Sequence, residues 1–344
     1  MNQSDPQAGV PLTRLGRSGL HVSRIALGTM MFGDRTDREE AARIVDDARE
    51  RGVNMIDTAN AYSHGRSETI TGELIAADRD RWILSTKAGM AMGEGPNERG
   101  VSRRHLERAT AASLGRLGTD VIDVLYLHKE DHGTPLEETV RAVADLIRSG
   151  RIRYFGVSNY RAWRVARICD LCDQEGIDRP VVAQVYYHAL YRAAELELLP
   201  ACAALGVGVM GYSPLARGVL TGKYVPGAEP PADSRAAAGN RRMLATEYHP
   251  ENIAAAARLR EHVEGRGGAL APFAVAWALA NPLVHGIVAG PRTLAQWQGY
   301  FAGLDHAPDA DDESAVDALV PPGTSAIAQY VDPSYPPEGR PRAP

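Results

Sequence analysis

The chain has 344 residues, 44% of them hydrophobic and 24% charged, the composition of a globular protein with enough apolar material for a large core. A formal net charge of -5 without any Lys/Arg run gives no attraction to nucleic acid or an anionic membrane, so neither is an expected partner. Residues Met1 to Pro11 lack the basic-then-apolar order of a signal peptide and no window approaches a membrane span, so the expected location is cytoplasmic.

In chain order, residues 1–11 read as an N-terminal extension. Leu12 to Ser23, with Arg17-Ser-Gly-Leu20 between short apolar segments, reads as a β-hairpin that caps one end of the main domain. Apolar, β-branched runs then recur at Ile25–Leu27, Met55–Asp57, Trp82–Thr86, Val124–Leu127, Tyr154–Val157, Val181–Gln184, Val207–Gly211 and Ile287–Val288. Between them, stretches such as Arg38–Arg51, Ser102–Leu117, Leu136–Ser149 and Ala194–Leu205 carry helical spacing, with Gly52, Gly118, Gly150 and Gly206 at their ends. Eight strand-helix repeats predict a closed (β/α)8 barrel, one domain over residues 12–319. An open doubly wound sheet would want a G-x-G-x-x-G turn opening a helix, and none is present. The Pro/Ala/Gly-rich loop Val225–Asn240 and the Pro-rich tail, residues 320–344, fall outside the repeat and are expected on the surface, where either could cover a pocket.

In such a barrel the chemistry sits at the carboxyl ends of the strands, so the polar residues that stop each apolar run are the informative ones. These are Asp57 and Tyr62 after the second strand, Lys87 after the third, His128 after the fourth, Ser158 and Asn159 after the fifth, Gln184 after the sixth, and Tyr212 and Ser213 after the seventh. An ammonium beside a phenol favours the phenolate, so Lys87 is expected to lower the pKa of Tyr62 from its ordinary value near 10. Asp57 can pair with Lys87, and His128 can donate a hydrogen bond to a substrate oxygen. Singly, each has a structural alternative as a cap, a solvated charge or a loop aromatic. Their arrival at three consecutive strand ends favours chemistry.

The segments Asn54-Met-Ile-Asp57-Thr-Ala-Asn-Ala-Tyr62, Leu84-Ser-Thr-Lys87 and Leu125-Tyr-Leu-His128 resemble the three catalytic motifs of the aldo-keto reductases. Gly156-Val-Ser158-Asn159, Gln184, Tyr212-Ser-Pro-Leu-Ala-Arg-Gly218-Val-Leu-Thr-Gly-Lys223 and Gly290-Pro-Arg292-Thr-Leu-Ala-Gln296 resemble that family's cofactor motifs. The likeness runs in order from about Leu12 to about Gln296. It implies NADPH as cofactor, with Ser158, Asn159 and Gln184 on the carboxamide, Tyr212 on the nicotinamide ring, and Gly28 and Thr29 lining the pocket nearby. Ser213, Pro214, Leu215, Gly218 and the cations Arg217 and Lys223 would pass near the pyrophosphate. Gly290, Arg292 and Gln296 would seat the 2′-phosphate at a helix start. This chain carries Tyr300 where the family usually has Asn. The implied activity is hydride transfer between NADP(H) and a small carbonyl or alcohol substrate, with Tyr62 as general acid/base. Channel β-subunits resemble the same family, which makes a nucleotide-sensing regulatory subunit the alternative.

Other features read as structural. His128-Lys-Glu-Asp-His132 invites a metal reading, but it follows a strand and Gly133-Thr-Pro135 breaks any helix, so no metal is expected. Cys169, Cys172 and Cys202 sit in helical stretches and read as packing residues. His64, His132, Tyr187 and His188 read as loop residues near the pocket.

Overall fold

The structure is a computed structural model that describes residues 9–335. Residues 1–8 of the expected extension and 336–344 of the tail lie outside the described residues. Strands β1 (Leu12–Arg14) and β2 (His21–Ser23) form an antiparallel hairpin. Strands β3 (Ile25–Gly28), β4 (Met55–Asp57), β5 (Ile83–Ala88), β6 (Ile122–Leu127), β7 (Ile152–Ser158), β8 (Val182–Tyr186), β9 (Gly208–Tyr212) and β10 (Gly286–Ala289) close an all-parallel barrel in sequence order. Each expected strand is found, displaced by at most two residues at its ends.

The helices that wrap the barrel are α1 (Arg38–Glu50), α2 (Arg66–Ile75), α3 (Arg103–Leu117), α4 (Leu136–Arg148), α5 (Ala162–Glu175), α6 (Leu198–Leu205), α7 (Arg241–Thr246), α8 (Pro250–Gly265), α9 (Leu270–Ala280), α10 (Leu294–Phe301) and α11 (Ala310–Leu319). Local chemistry starts several of them: Asp37, Ser102, Asn240 and Thr293 each accept a backbone N–H of the first turn. The stretch expected as one helix over Ala194–Leu205 is instead a 3-10 turn, Ala193–Glu195, followed by α6. Pro200 explains the break. In the first turn of α6 its missing N–H costs nothing, whereas a helix running on from Ala194 would place it in the interior.

Two apolar layers hold the barrel. Ala26, Met55, Val124, Tyr126, Val182, Met210 and Val288 pack together as an inner core that Leu15 and Val22 of the hairpin join. The hairpin therefore caps the amino-terminal end. Gly16, at φ +56°, is pressed so close that a Cβ would lie 2.5 Å from the Gly208 nitrogen and 2.6 Å from the Gly206 oxygen. The carboxyl-terminal end is left open for the site.

Candidate active site

The pleat decides which residues face the barrel axis, because successive side chains of a strand point to opposite faces. Gly28, Asp57 and Ser85 stand in register on β3, β4 and β5. Asp57 and Lys87, 1% and 0% exposed, form a buried ion pair. The Lys87 ammonium also donates to the Thr58 carbonyl at 2.8 Å. On its other oxygen, Asp57 accepts from Ser85 Oγ at 2.8 Å and Gln184 Nε2 at 3.2 Å. The carboxylate thus has a donor on both oxygens, the condition for keeping such a pair inside a protein.

Tyr62 lies just past β4 with Lys87 Nζ 4.9 Å from its ring centre, and His128 meets it edge-on with ring centres 6.0 Å apart. The net effect on the phenol is opposite to the sequence expectation. Burial raises the Tyr62 pKa above its ordinary value and outweighs the opposing pull of Lys87, so the phenol stays protonated. Lys87, despite the burial that disfavours its charge, is held above its ordinary value by Asp57 and Tyr62. Burial, with Lys87 and Lys129 nearby, lowers His128 to about 3, which leaves a neutral imidazole. The cluster therefore offers two uncharged donors, a phenol and an imidazole, backed by a buried cation.

These groups stand at one end of a cavity of about 640 Å³, within the usual range for ligand sites. Asp57, Tyr62, His128, Ser158, Asn159, Gln184, Tyr212, Ser213, Pro214, Leu215, Arg217, Gly218, Lys223, Gly28, Gly290, Arg292 and Gln296 all line it. Lys87 stands behind Tyr62 and Asp57. Thr29 does not line the cavity: it is fully buried, with its hydroxyl on the Asp57 carbonyl at 3.3 Å and on Ser67 Oγ at 2.9 Å. Asn159, left-handed at φ +60°, donates to the His128 carbonyl at 2.9 Å and accepts from Tyr212 Oη at 2.8 Å. Because the Asp57 carboxylate only accepts, the Gln184 amide must turn its nitrogen to it, leaving its oxygen as an acceptor.

The far end is cationic. Arg292 donates to the Asp233 carbonyl at 3.1 Å, and Arg217 is clamped by the buried Glu247 at 2.8 Å. Lys223 and Arg235 make no hydrogen bond or ion pair of their own among the described residues. Burial and the neighbouring Arg217 and Arg292 pull Arg235 below the ordinary guanidinium value. Arg235 lies in the loop expected on the surface as a possible cover for a pocket, but no residue of that loop was singled out. The signal available was a lone cation shortly after Lys223.

Arg242 and Tyr335 also line the cavity and were not anticipated. Tail residue Asp332 pairs with Arg242, and Ser334 Oγ accepts from it at 2.9 Å, which brings Tyr335 to the opening. Tyr187 is no pocket residue: it stacks on Trp277 with ring centres 5.3 Å apart and donates to Glu195 at 2.6 Å. His188 is buried beside Tyr186, its Nδ1 accepting from the Leu190 N–H at 3.2 Å. Glu130 is bonded to Arg161, and Asp131 accepts from the Val101 and Gly133 N–H groups, so the acids between His128 and His132 are committed to loop structure. All three cysteines are buried, and burial pushes the Cys169, Cys172 and Cys202 thiols up to about 11, 12 and 12.

A closed parallel barrel with a buried carboxylate–ammonium pair behind a phenol, at the mouth of a cavity also lined by cations, defines a (β/α)8 barrel suited to oxidoreductase chemistry. The chain belongs to the aldo/keto reductase family, whose model matches residues 24–321. It is 38% identical over 300 residues to a probable voltage-gated potassium channel subunit beta of Arabidopsis thaliana, covering 86% of this chain and 91% of that one. It is 34% identical to the uncharacterized oxidoreductase YrpG of Bacillus subtilis, over 92% of this chain and 98% of that one. A versiconal hemiacetal acetate reductase of Aspergillus parasiticus is 32% identical, over 80% of this chain and 87% of that one. Family and relatives together support an oxidoreductase. Among the described residues no helix is long and apolar enough to cross a membrane.

Proposed function

We propose that the protein reduces the carbonyl of a small aldehyde or ketone with NADPH, or runs the reverse oxidation, with Tyr62 as the proton donor and acceptor. The observation that carries this reading is the buried Asp57–Lys87 pair against a protonated phenol that faces the cavity.

The residues present fit NADPH. Ser158, Asn159 and the free oxygen of Gln184 suit a carboxamide, and Tyr212 offers a ring. Lys223, Arg235 and Arg292 form no ion pair among the described residues, and a phosphate-bearing group would supply one. When bound, the cofactor supplies hydride from its nicotinamide C4. Tyr62 then gives its proton to the substrate oxygen as negative charge grows there. Lys87 stabilises the phenolate left behind, Asp57 fixes Lys87, and neutral His128 donates a hydrogen bond that orients the carbonyl. The three cations at the far end favour the extra phosphate of NADPH over NADH.

The test is to mix the protein with NADPH or NADH and a panel of aldehydes, and to follow the loss of nicotinamide absorbance. Aldehyde-dependent oxidation of NADPH, faster than of NADH, supports the reading. Tight NADPH binding without turnover on any carbonyl supports instead a nucleotide-sensing subunit, the reading to which the channel-subunit relatives lend weight.

A further inference from the structure

The residues that succeed the site-forming row of β3, β4 and β5 are all threonines, and all point outward to the same short stretch of α2. Gly28, Asp57 and Ser85 are in register, so Thr29, Thr58 and Thr86 form the next row on the opposite face. Ser67 Oγ, fully buried, donates to the Thr29 carbonyl at 2.7 Å and lies 2.9 Å from Thr29 Oγ1 and 3.0 Å from Thr58 Oγ1. A carbonyl can only accept, so the single Ser67 proton is spent there and Ser67 Oγ is the acceptor for the Thr58 hydroxyl, while the one Thr29 hydroxyl proton is shared between Ser67 Oγ and the Asp57 carbonyl. The adjacent Glu68, also fully buried, accepts from Thr86 Oγ1 at 2.5 Å and takes Arg116 of α3 at 2.7 Å on its other oxygen.

Two of these rivets adjoin the proton-transfer machinery directly. Thr58 supplies the carbonyl that Lys87 Nζ bonds, and Thr86 immediately precedes Lys87. Tyr62 is joined to the start of α2 by a short turn in which Ser63 and His64 are left-handed, at φ 49° and 54°. One helix start therefore holds the phenol through the chain and the ammonium through side-chain bonds.

We infer that Ser67 and Glu68 are positioning residues that set the distance between the Lys87 ammonium and the Tyr62 phenol by fastening Thr29, Thr58 and Thr86 to α2. The inference rests on the reading of Tyr62 as the proton donor, but its test does not need turnover. An ammonium nearby favours the phenolate, so loosening the rivets moves it away and weakens the acid. Ser67→Ala leaves the Thr58 hydroxyl without its acceptor. Thr86→Val removes the bond to Glu68 while keeping the side chain's shape.

The experiment places 3,5-difluorotyrosine, whose phenol is more acidic, at position 62, and follows its fluorine resonance against pH in the full chain with and without each substitution. Both variants are expected to titrate higher, by about threefold or more in acidity, the change that a weakened neighbouring charge brings. Melting temperatures are recorded alongside. A drop in melting temperature with an unmoved titration in the variant that folds would make the rivets structural only and overturn the inference, and Thr86→Val decides alone should Ser67→Ala not fold. Absence of NADPH oxidation by the unsubstituted protein would count against the proposed function, and is read separately from the titration.

Discussion

The two ends of the cavity are built by different means. At the end that holds Tyr62, Asp57 and Lys87 stand on neighbouring strands, are almost completely buried, and spend their hydrogen bonds on one another and on Ser85, Thr58 and Gln184. At the cationic end, Lys223 and Arg235 come from loops, and Arg292 from the turn before α10. Lys223 and Arg235 form no ion pair among the described residues, with Asp233 and Glu247 acting on them only at longer range. The difference teaches that the sheet supplies precise, fully paired polar groups, while loops supply charge that is left open to a ligand.

Breaking the first end should have the largest effect. Lys87→Met strands the Asp57 carboxylate in the interior, which for a buried pair costs about 3–5 kcal/mol of stability. In the fraction that folds, turnover should fall about 10²–10⁴-fold, the range that a general acid contributes. Chemical denaturation and steady-state rates on the same preparation check both. At the second end, Arg235→Met should leave the fold intact and weaken NADPH by about tenfold or more, the scale of one lost charged hydrogen bond, with a smaller effect on NADH. Fluorescence titration of the two nucleotides measures the difference, and equal losses for both would remove Arg235 from the phosphate end.

The histidines sharpen the contrast through pH. His188 is buried and His128 is partly exposed at the cavity wall, and loss of water around each ring lowers both to about 3, so both are neutral. A histidine whose folded pKa lies below its unfolded value of about 6.5 stabilises the protein above that pH and loses the contribution as pH falls toward 3. Denaturant midpoints should therefore decline from about pH 6.5 downward, and His188→Gln should flatten the slope. An unchanged slope in that variant would contradict the burial argument for His188. The smallest effect concerns the cysteines: with Cys169, Cys172 and Cys202 buried as raised thiols, an alkylating reagent at neutral pH should leave all three unmodified in native protein by mass spectrometry.

Periodicity and position made much of this legible in the sequence. Eight apolar runs named the strands, and the polar residue ending each run named Asp57, Lys87 and His128, because the pleat and the barrel together place such residues at the carboxyl mouth. The pleat also held the signal that Thr29 faces away, since Gly28 before it faces in. Arg235, Arg242 and Tyr335 were not legible, for they sit in a proline-rich loop, a short helix and the tail, whose paths depend on contacts such as Arg242 with Asp332. Tyr187 comes after a strand as a pocket residue does, yet Trp277 on α9, distant in sequence, takes its ring. The sign of the Tyr62 shift was illegible for a related reason: the motif shows that Lys87 is near, but only the fold shows that burial around the phenol outweighs it.

The role proposed for the cavity turns on Tyr62 moving the proton. Tyr62→Phe removes one oxygen from the cavity wall and leaves the cationic end intact. NADPH affinity should stay within about twofold while carbonyl reduction falls to background, the division expected of a group that acts in the transition state rather than in cofactor binding. Reduction that persists at near the original rate in this variant would contradict that role.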